Sequence, residues 1–325
     1  MDSRIFEKLH REGLVSEGSM QKIKTAESNK LFSLHGELRT ILYLGVLLLS
    51  GGLGIIVYKN IDTIGHQVIL LVIASICIGC FYYCFRKKLP FSWQQVAAPN
   101  AFFDYILLLG CLTLITFITY LQAQYNVFGT RYGLATFIPL VVLFFSAYYF
   151  DHTGILCMAI VNLAAWLGIV TTPLNILSQN DFSDPRLIFT GLVLGTFLIA
   201  VGFLSRKKDL KQHFTLTYNN FGVHLLMIAG LAALFTFDSI YLLCFLAFIA
   251  VAALLFMQAK QQRSFYFVVV ITLYTYIAVS YVIMKLLFSG HDTLGSIYVA
   301  LLYFIASGIG LVLLLIRLNK SLKQS

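Results

Sequence analysis

The sequence predicts an all-α, polytopic helical membrane protein of about ten transmembrane helices with both termini cytoplasmic. Three observations carry this. Of the 325 residues 59% are hydrophobic and 11% charged, against roughly 45–50% and 25% in a soluble domain. Mean hydropathy is +0.85. The apolar residues come in runs of about 20, the length that crosses a bilayer core as a helix, and not in the shorter alternating segments of an outer-membrane barrel.

Ten runs reach this length: 40–58, 67–85, 101–121, 133–150, 153–171, 187–204, 220–237, 239–257, 265–287 and 297–317. The fourth and fifth are joined only by Asp151-His152, a connection that suits a re-entrant hairpin as well as two separate spans. Pro139 is the one proline well inside a run and predicts a kink there. Residues 1–38 form a separate segment, read as a cytoplasmic helical hairpin. Its first helix runs from Ser3 to Glu12 and stops at Gly13, and Ser16 caps the second. Residues 39–325 form the bundle. The start of the chain lacks the apolar core and cleavage site of a removable signal peptide, so it is expected to be retained.

Charge orients the spans. With the N-terminus inside, the cytoplasmic segments collect the seven Lys and Arg before residue 40, then Arg86-Lys87-Lys88, Arg206-Lys207-Lys208, Lys211, Lys260, Arg263, Arg317, Lys320 and Lys323. Only Lys59, Arg131, Arg186 and Lys285 fall on the other side, each near a span end. The net charge of +9 is thus accounted for by topology and calls for no nucleic-acid partner. The bilayer itself is the expected partner, with a cytoplasmic protein at residues 1–38 as a second. All six cysteines lie inside apolar runs, where a small apolar packing role is expected and a disulfide framework is not.

Polar groups inside spans are functional candidates because burying them in hydrocarbon is costly. Asp104 lies one turn into the third run, Asn162 in the fifth and His224 in the seventh. The ninth run is the most polar. Thr272, Tyr276 and Ser280 recur at helical spacing on one stripe, and Tyr274, Ala278, Tyr281 and Lys285 on another. Such stripes point into the bundle, as interhelical glue or as the lining of a route ending near Lys285. Asp104, Asn162, His224, Tyr274, Tyr281 and Lys285 are therefore the candidate pathway. Asp62-Thr63-Ile64-Gly65 before the second run is echoed by Asp292-Thr293-Leu294-Gly295 before the tenth, either as helix caps or as a trace of a transporter-like repeat. Asp62 and His66, with His291 and Asp292, are weak metal candidates that need the two loops to meet. Small residues cluster at Ser50-Gly51-Gly52-x-Gly54 and Ser307-Gly308-x-Gly310, where backbones are able to approach closely. No Walker loop, dinucleotide fingerprint, His-Glu-x-x-His or Gly-x-Ser-x-Gly occurs. The reading leans away from an enzyme, and no cofactor is implied.

The N-terminal Gly13-Leu14-Val15-Ser16, the Gly-rich first run, the turn Asn60-Ile61-Asp62-Thr63-Ile64-Gly65, Gln124-Tyr125-Asn126 with Gly129, and Trp166 together resemble the bacterial multi-pass proteins of domain of unknown function 2157. The resemblance spans roughly residues 5–170, with Ile61 where that family usually carries an aromatic residue. It implies a bacterial inner-membrane location and no established chemistry. Two functions follow as expectations: a secondary transporter or channel-like carrier of a small molecule, ion or lipid, or a non-transporting scaffold or sensor that docks a partner through residues 1–38.

Overall fold

The computed structural model describes residues 16–19, 35–59, 65–100, 102–129, 132–171, 184–289 and 293–324. Ten long helices follow in chain order: α1 (His35–Lys59), α2 (His66–Lys87), α3 (Phe103–Tyr125), α4 (Tyr132–Phe150), α5 (Thr153–Thr171), α6 (Pro185–Lys207), α7 (Thr215–Thr236), α8 (Tyr241–Gln261), α9 (Phe265–Leu287) and α10 (Thr293–Gln324). No strand occurs among the described residues. Each helix overlies one apolar run, because a chain in hydrocarbon must satisfy every backbone group internally. Nine of them, α2 to α10, are long and apolar enough to cross a membrane, while in α1 the apolar stretch is Thr40–Gly52. Asp151-His152 separates two full helices of 19 residues each, so this connection is a tight turn between spans.

The chain divides into two units, Met1–Ile61 and Asp62–Ser325. In the first, Ser16 Oγ accepts a hydrogen bond from Ser19 N at 3.4 Å, the capping its type favours, and α1 is the long helix. Most of the hairpin expected over 1–38 lies outside the described residues.

In the second unit consecutive helices alternate in direction, and α2 with α3, α4 with α5, and above all α6 with α7 form the closest pairs. Side-chain bonds record the alternation. His66 at the start of α2 meets Tyr120 and Gln124 at the end of α3, and Lys88 just after α2 meets Tyr149 at the end of α4. Helix ends follow local chemistry: Asp184 caps α6 by accepting from Arg186 N at 2.8 Å ahead of Pro185, and Asn126 ends α3 in the left-handed conformation at φ 47°.

Two cores form. One gathers Cys84, Leu107, Cys111, Leu143, Leu156, Leu198 and Tyr218 from α2 to α7. The other gathers Val223, Met227, Leu234, Phe248, Val268 and Ile271 from α7, α8 and α9. Helix α7 belongs to both. The cysteines of α2 serve as small packers against α3: Cys77 Sγ donates to the Gly110 carbonyl at 3.6 Å, and Cys84 is fully buried beside Cys111. All six thiols are free.

The α6–α7 contact is made by glycine. A Cβ on Gly195 would stand 2.7 Å from the Leu226 backbone nitrogen, and one on Gly222 would stand 2.7 Å from Ile199 Cγ1 and 3.0 Å from the Gly195 carbonyl oxygen. Among the small residues singled out from the sequence, Gly308 and Gly310 of α10 face open space instead. Gly195→Ala and Gly222→Ala should each lower the stability of the detergent-purified protein by about 1–3 kcal/mol through overpacking. Gly308→Ala should change it by less than about 0.5 kcal/mol. Unfolding curves of the three variants check this.

Candidate functional site

Three loops close one end of the second unit: residues 88–100 between α2 and α3, Asp151-His152 between α4 and α5, and 208–214 between α6 and α7. The charge count had placed the first and third of these on one side. At their centre is a buried ion cluster. Asp151, its side chain 2% exposed, receives Lys211 Nζ at 2.9 Å and His213 Nε2 at 2.8 Å on Oδ1. Its Oδ2 accepts the backbone N–H of Val96. Lys211, 1% exposed, also donates its backbone N–H to the Trp93 carbonyl at 2.9 Å and directs Nζ to the Gln94 carbonyl at 3.4 Å. The same ammonium lies 5.3 Å from the centre of the Phe91 ring.

Backbone geometry makes this possible. Asp151 and Lys211 adopt positive φ of 60° and 51°, so each turns its side chain inward where a helix has just stopped. Ser205 Oγ holds the tight turn after α6 by donating to the Leu210 carbonyl. His152, next in sequence and 6% exposed, caps α5: its Nδ1 accepts from Ile155 N at 3.1 Å. Its Nε2 stands 3.9 Å from Asp104 Oδ1. The cavity beside this cluster is only about 20 Å³, room for roughly one water. The arrangement clamps loop 88–100 onto the bundle and holds no substrate-sized space.

The sequence-predicted residues separate into four places. Asp104 lies in the first turn of α3, facing His152 at the clamp. Asn162 donates from Nδ2 to the Thr136 carbonyl at 3.0 Å, joining α5 to α4 one residue beyond the Ala135 carbonyl that Pro139 leaves without its helical donor. His224 and Tyr274 meet: Tyr266 donates to Asn220 Oδ1 at 2.7 Å, so it accepts from His224 Nε2 at 3.0 Å. Nδ1 then accepts from the Tyr274 hydroxyl at 2.9 Å. This directional chain of four side chains joins α7 to α9.

Tyr281 and Lys285 also meet, at the opposite end. Lys285 pairs with Asp238 of the α7–α8 turn and lies 4.1 Å from the Tyr241 ring centre and 5.8 Å from that of Tyr281. Tyr281 itself packs on Phe235, ring centres 4.6 Å apart. The other stripe of α9 faces α10 through Tyr276–Ser307 at 3.0 Å and Ser280–Tyr303 at 2.9 Å. The weak metal candidates divide likewise. Asp62, His291 and Asp292 lie outside the described residues, and His66 already engages Tyr120 at 2.7 Å and Gln124 at 3.0 Å through its two ring nitrogens. Among the described residues no three His, Cys, Asp or Glu side chains are grouped to hold a metal.

Two larger cavities lie along the helices. One, about 460 Å³, runs between α5, α6 and α7 and is lined by Ala165, Leu167, Gly191, Leu194, Ile228 and Ala232 among others. The second, about 510 Å³, runs between α8, α9 and α10 beside Ala253, Met257, Thr275, Val279, Ser307 and Leu311. Both fall in the size range of small-molecule sites, about 300–1,000 Å³. The described carboxylates of the second unit all lie at helix ends or in turns (Asp104, Asp151, Asp184, Asp209, Asp238), and none lines either cavity.

The clamp was missed from sequence because Asp151 stands in a two-residue connection and Lys211 in a basic stretch, both ordinary loop chemistry. The available signal was a carboxylate in a turn too short to carry it far from the bundle.

Asp151→Ala should cost about 3–5 kcal/mol by leaving the Lys211 ammonium buried without its carboxylate. The double variant Asp151→Ala/Lys211→Met should recover most of that loss, and a double-mutant cycle on unfolding midpoints measures the coupling.

Neither curated proteins nor solved structures provide a match to this chain. Residues 7–156, which include α1 to α4, Asp104 and the carboxylate of the clamp, match the family described as predicted membrane protein, DUF2157. The match spans 150 of the chain's 325 residues, and over that region the chain is similar to this family of predicted membrane proteins.

Proposed function

We propose that this multi-pass membrane protein is a carrier whose cargo is lipid-like, taken from the bilayer into the clefts between its helices. The observation that carries the reading is the pair of clefts of about 460 and 510 Å³ without a charged side chain in their lining, the first small and aliphatic and the second mixing aliphatic side chains with Phe256, Met257 and hydroxyl-bearing residues. An ion-coupled carrier generally places an ionisable residue within the membrane to bind its ion, whereas the described carboxylates here stand at helix ends and in turns. The polar chain through His224 ties α7 to α9 and borders neither of the larger cavities.

In this reading the end bearing Arg86-Lys87-Lys88, Arg206-Lys207-Lys208, Lys260 and Arg263 faces the cytoplasm of the bacterial inner membrane, together with both termini. The clefts open toward acyl chains, and an apolar cargo needs no charged partner to enter. The scaffold alternative leaves the clefts without a role and places the activity in residues 1–38.

Ala165 and Ala253 are exposed within the two clefts, so larger side chains there fill space without entering the cores. Ala165→Trp and Ala253→Trp should each lower labelling of the cleft it fills by a photoreactive phospholipid analogue roughly tenfold, the change that about 1.4 kcal/mol produces, with the labelled peptides of the reconstituted protein read by mass spectrometry. Unaltered labelling and cellular function in both variants, with function abolished by deletion of residues 1–33, would establish the scaffold reading instead.

A further inference from the structure

The clamp at Asp151 presents a surface of its own. Loop 88–100 leaves α2 immediately after Arg86 and Lys87 and returns to the start of α3, so both of its ends sit at the ends of membrane-spanning helices. Its large apolar side chains are nonetheless turned outward. Leu89 is 45% exposed, Phe91 44%, Trp93 52% and the neighbouring Phe102 67%. Phe91 and Trp93 pack edge to face with ring centres 5.1 Å apart, and Phe91 stacks toward Tyr149 at 6.4 Å. A patch of this kind facing water is costly. At the level of lipid headgroups it is favourable, because aromatic rings settle at that boundary.

The loop has no freedom to withdraw these groups. Asp151 accepts from Val96 N, while Lys211 holds the Trp93 and Gln94 carbonyls. Asn100 accepts from Phe102 N and Phe103 N at 3.1 and 2.9 Å and donates to the Tyr83 hydroxyl at 3.2 Å. Cations surround the patch. Arg86, Lys87 and Lys88 are exposed on one approach and Arg206, Lys207 and Lys208 on the other, the latter three to five residues before Lys211. Opposing acids are few: Asp209 is exposed and bonded to Gln212, Asp151 is consumed by Lys211 and His213, and Asp104 faces His152.

We propose that loop 88–100 and the flanking basic ends of α2 and α6 form a preorganised docking surface for anionic phospholipid headgroups. Leu89, Phe91 and Trp93 enter the interface, and Lys87, Lys207 and Lys208 take the phosphates. The occupant follows from charge complementarity beside an apolar interface: a neutral bilayer satisfies the rings and leaves the cations without counter-charge, and a soluble acidic partner does the reverse. Exposed cations near a membrane surface gain attraction to anionic lipid individually, and the loop backbone that carries the aromatic side chains is already ordered before binding. The proposal does not depend on what the clefts carry.

The chain has two tryptophans, so Trp166→Phe leaves Trp93 as the reporter. The full-length protein is reconstituted in nanodiscs of phosphatidylcholine alone or of equal parts phosphatidylcholine and phosphatidylglycerol, and lipids retained after detergent extraction are counted by native mass spectrometry. Phosphatidylglycerol should be retained in preference to phosphatidylcholine and should alter Trp93 emission. Lys87→Gln, Lys207→Gln and Lys208→Gln should each weaken retention about fivefold, and raised salt should weaken it further. Lys260→Gln/Arg263→Gln, at the end of α8 and in the α8–α9 turn, should leave it unchanged. Equal retention of both lipids, or equal loss in the α8–α9 variant, would overturn the proposal. Because Ala165→Trp leaves this surface intact, a failed cleft experiment and a failed headgroup experiment are distinguishable.

Discussion

Helices in a bilayer gain nothing by hiding apolar surface from one another, because lipid is as apolar as leucine. Cohesion has to come from close van der Waals contact and from hydrogen bonds. In this protein the first is concentrated where α6 and α7 meet, with Gly195 and Gly222 letting one backbone approach the other. Helix α7 then hands the contact on, since Tyr218 near its start belongs to the core of α2–α7 and Met227 and Leu234 farther along belong to the core of α7–α9. A bundle with two cores and one shared helix depends on that helix being placed correctly.

The charges do two kinds of work at one end. Exposed Arg and Lys residues after α2, α6 and α8 provide the asymmetry that orients spans during insertion. A single further lysine, Lys211, is drawn inside and neutralised by Asp151. Burying such a pair is rarely a net source of stability, since desolvation offsets the attraction. Its value here is geometric, because one carboxylate and one ammonium reach backbone groups of loop 88–100 that no helix satisfies. The result is an ordered loop with its aromatic side chains held outward.

The polar residues of α9 divide among its neighbours. Tyr274 turns to α7, Tyr276 and Ser280 to α10, and Tyr281 and Lys285 to the α7–α8 turn. Hydroxyls spent on neighbouring helices act as fasteners; the cleft between α5, α6 and α7 is left almost wholly to alanine, glycine, leucine and isoleucine, while the hydroxyls bordering the cleft between α8, α9 and α10 include the bonded Tyr276, Ser307 and Tyr303. That division favours an apolar cargo over a hydrated ion.

The all-α, multi-pass class and the approximate places of the helices were legible in the sequence, because the thickness of the bilayer imposes a length on each apolar run and hydrocarbon demands an internally bonded backbone; of the ten runs expected to span, nine have helices long and apolar enough among the described residues. The likeness of residues 7–156 to the DUF2157 family was legible in local motifs. Which glycines approach another helix was not: Gly308 and Gly310 read the same as Gly195 and Gly222 in sequence, and only the course of neighbouring helices separates them. The same holds for Asp151, Lys211 and His213, some 60 positions apart along the chain. Their meeting depends on three turns closing at one end of the bundle with left-handed residues at two of them, a nonlocal outcome of packing that no window of sequence encodes.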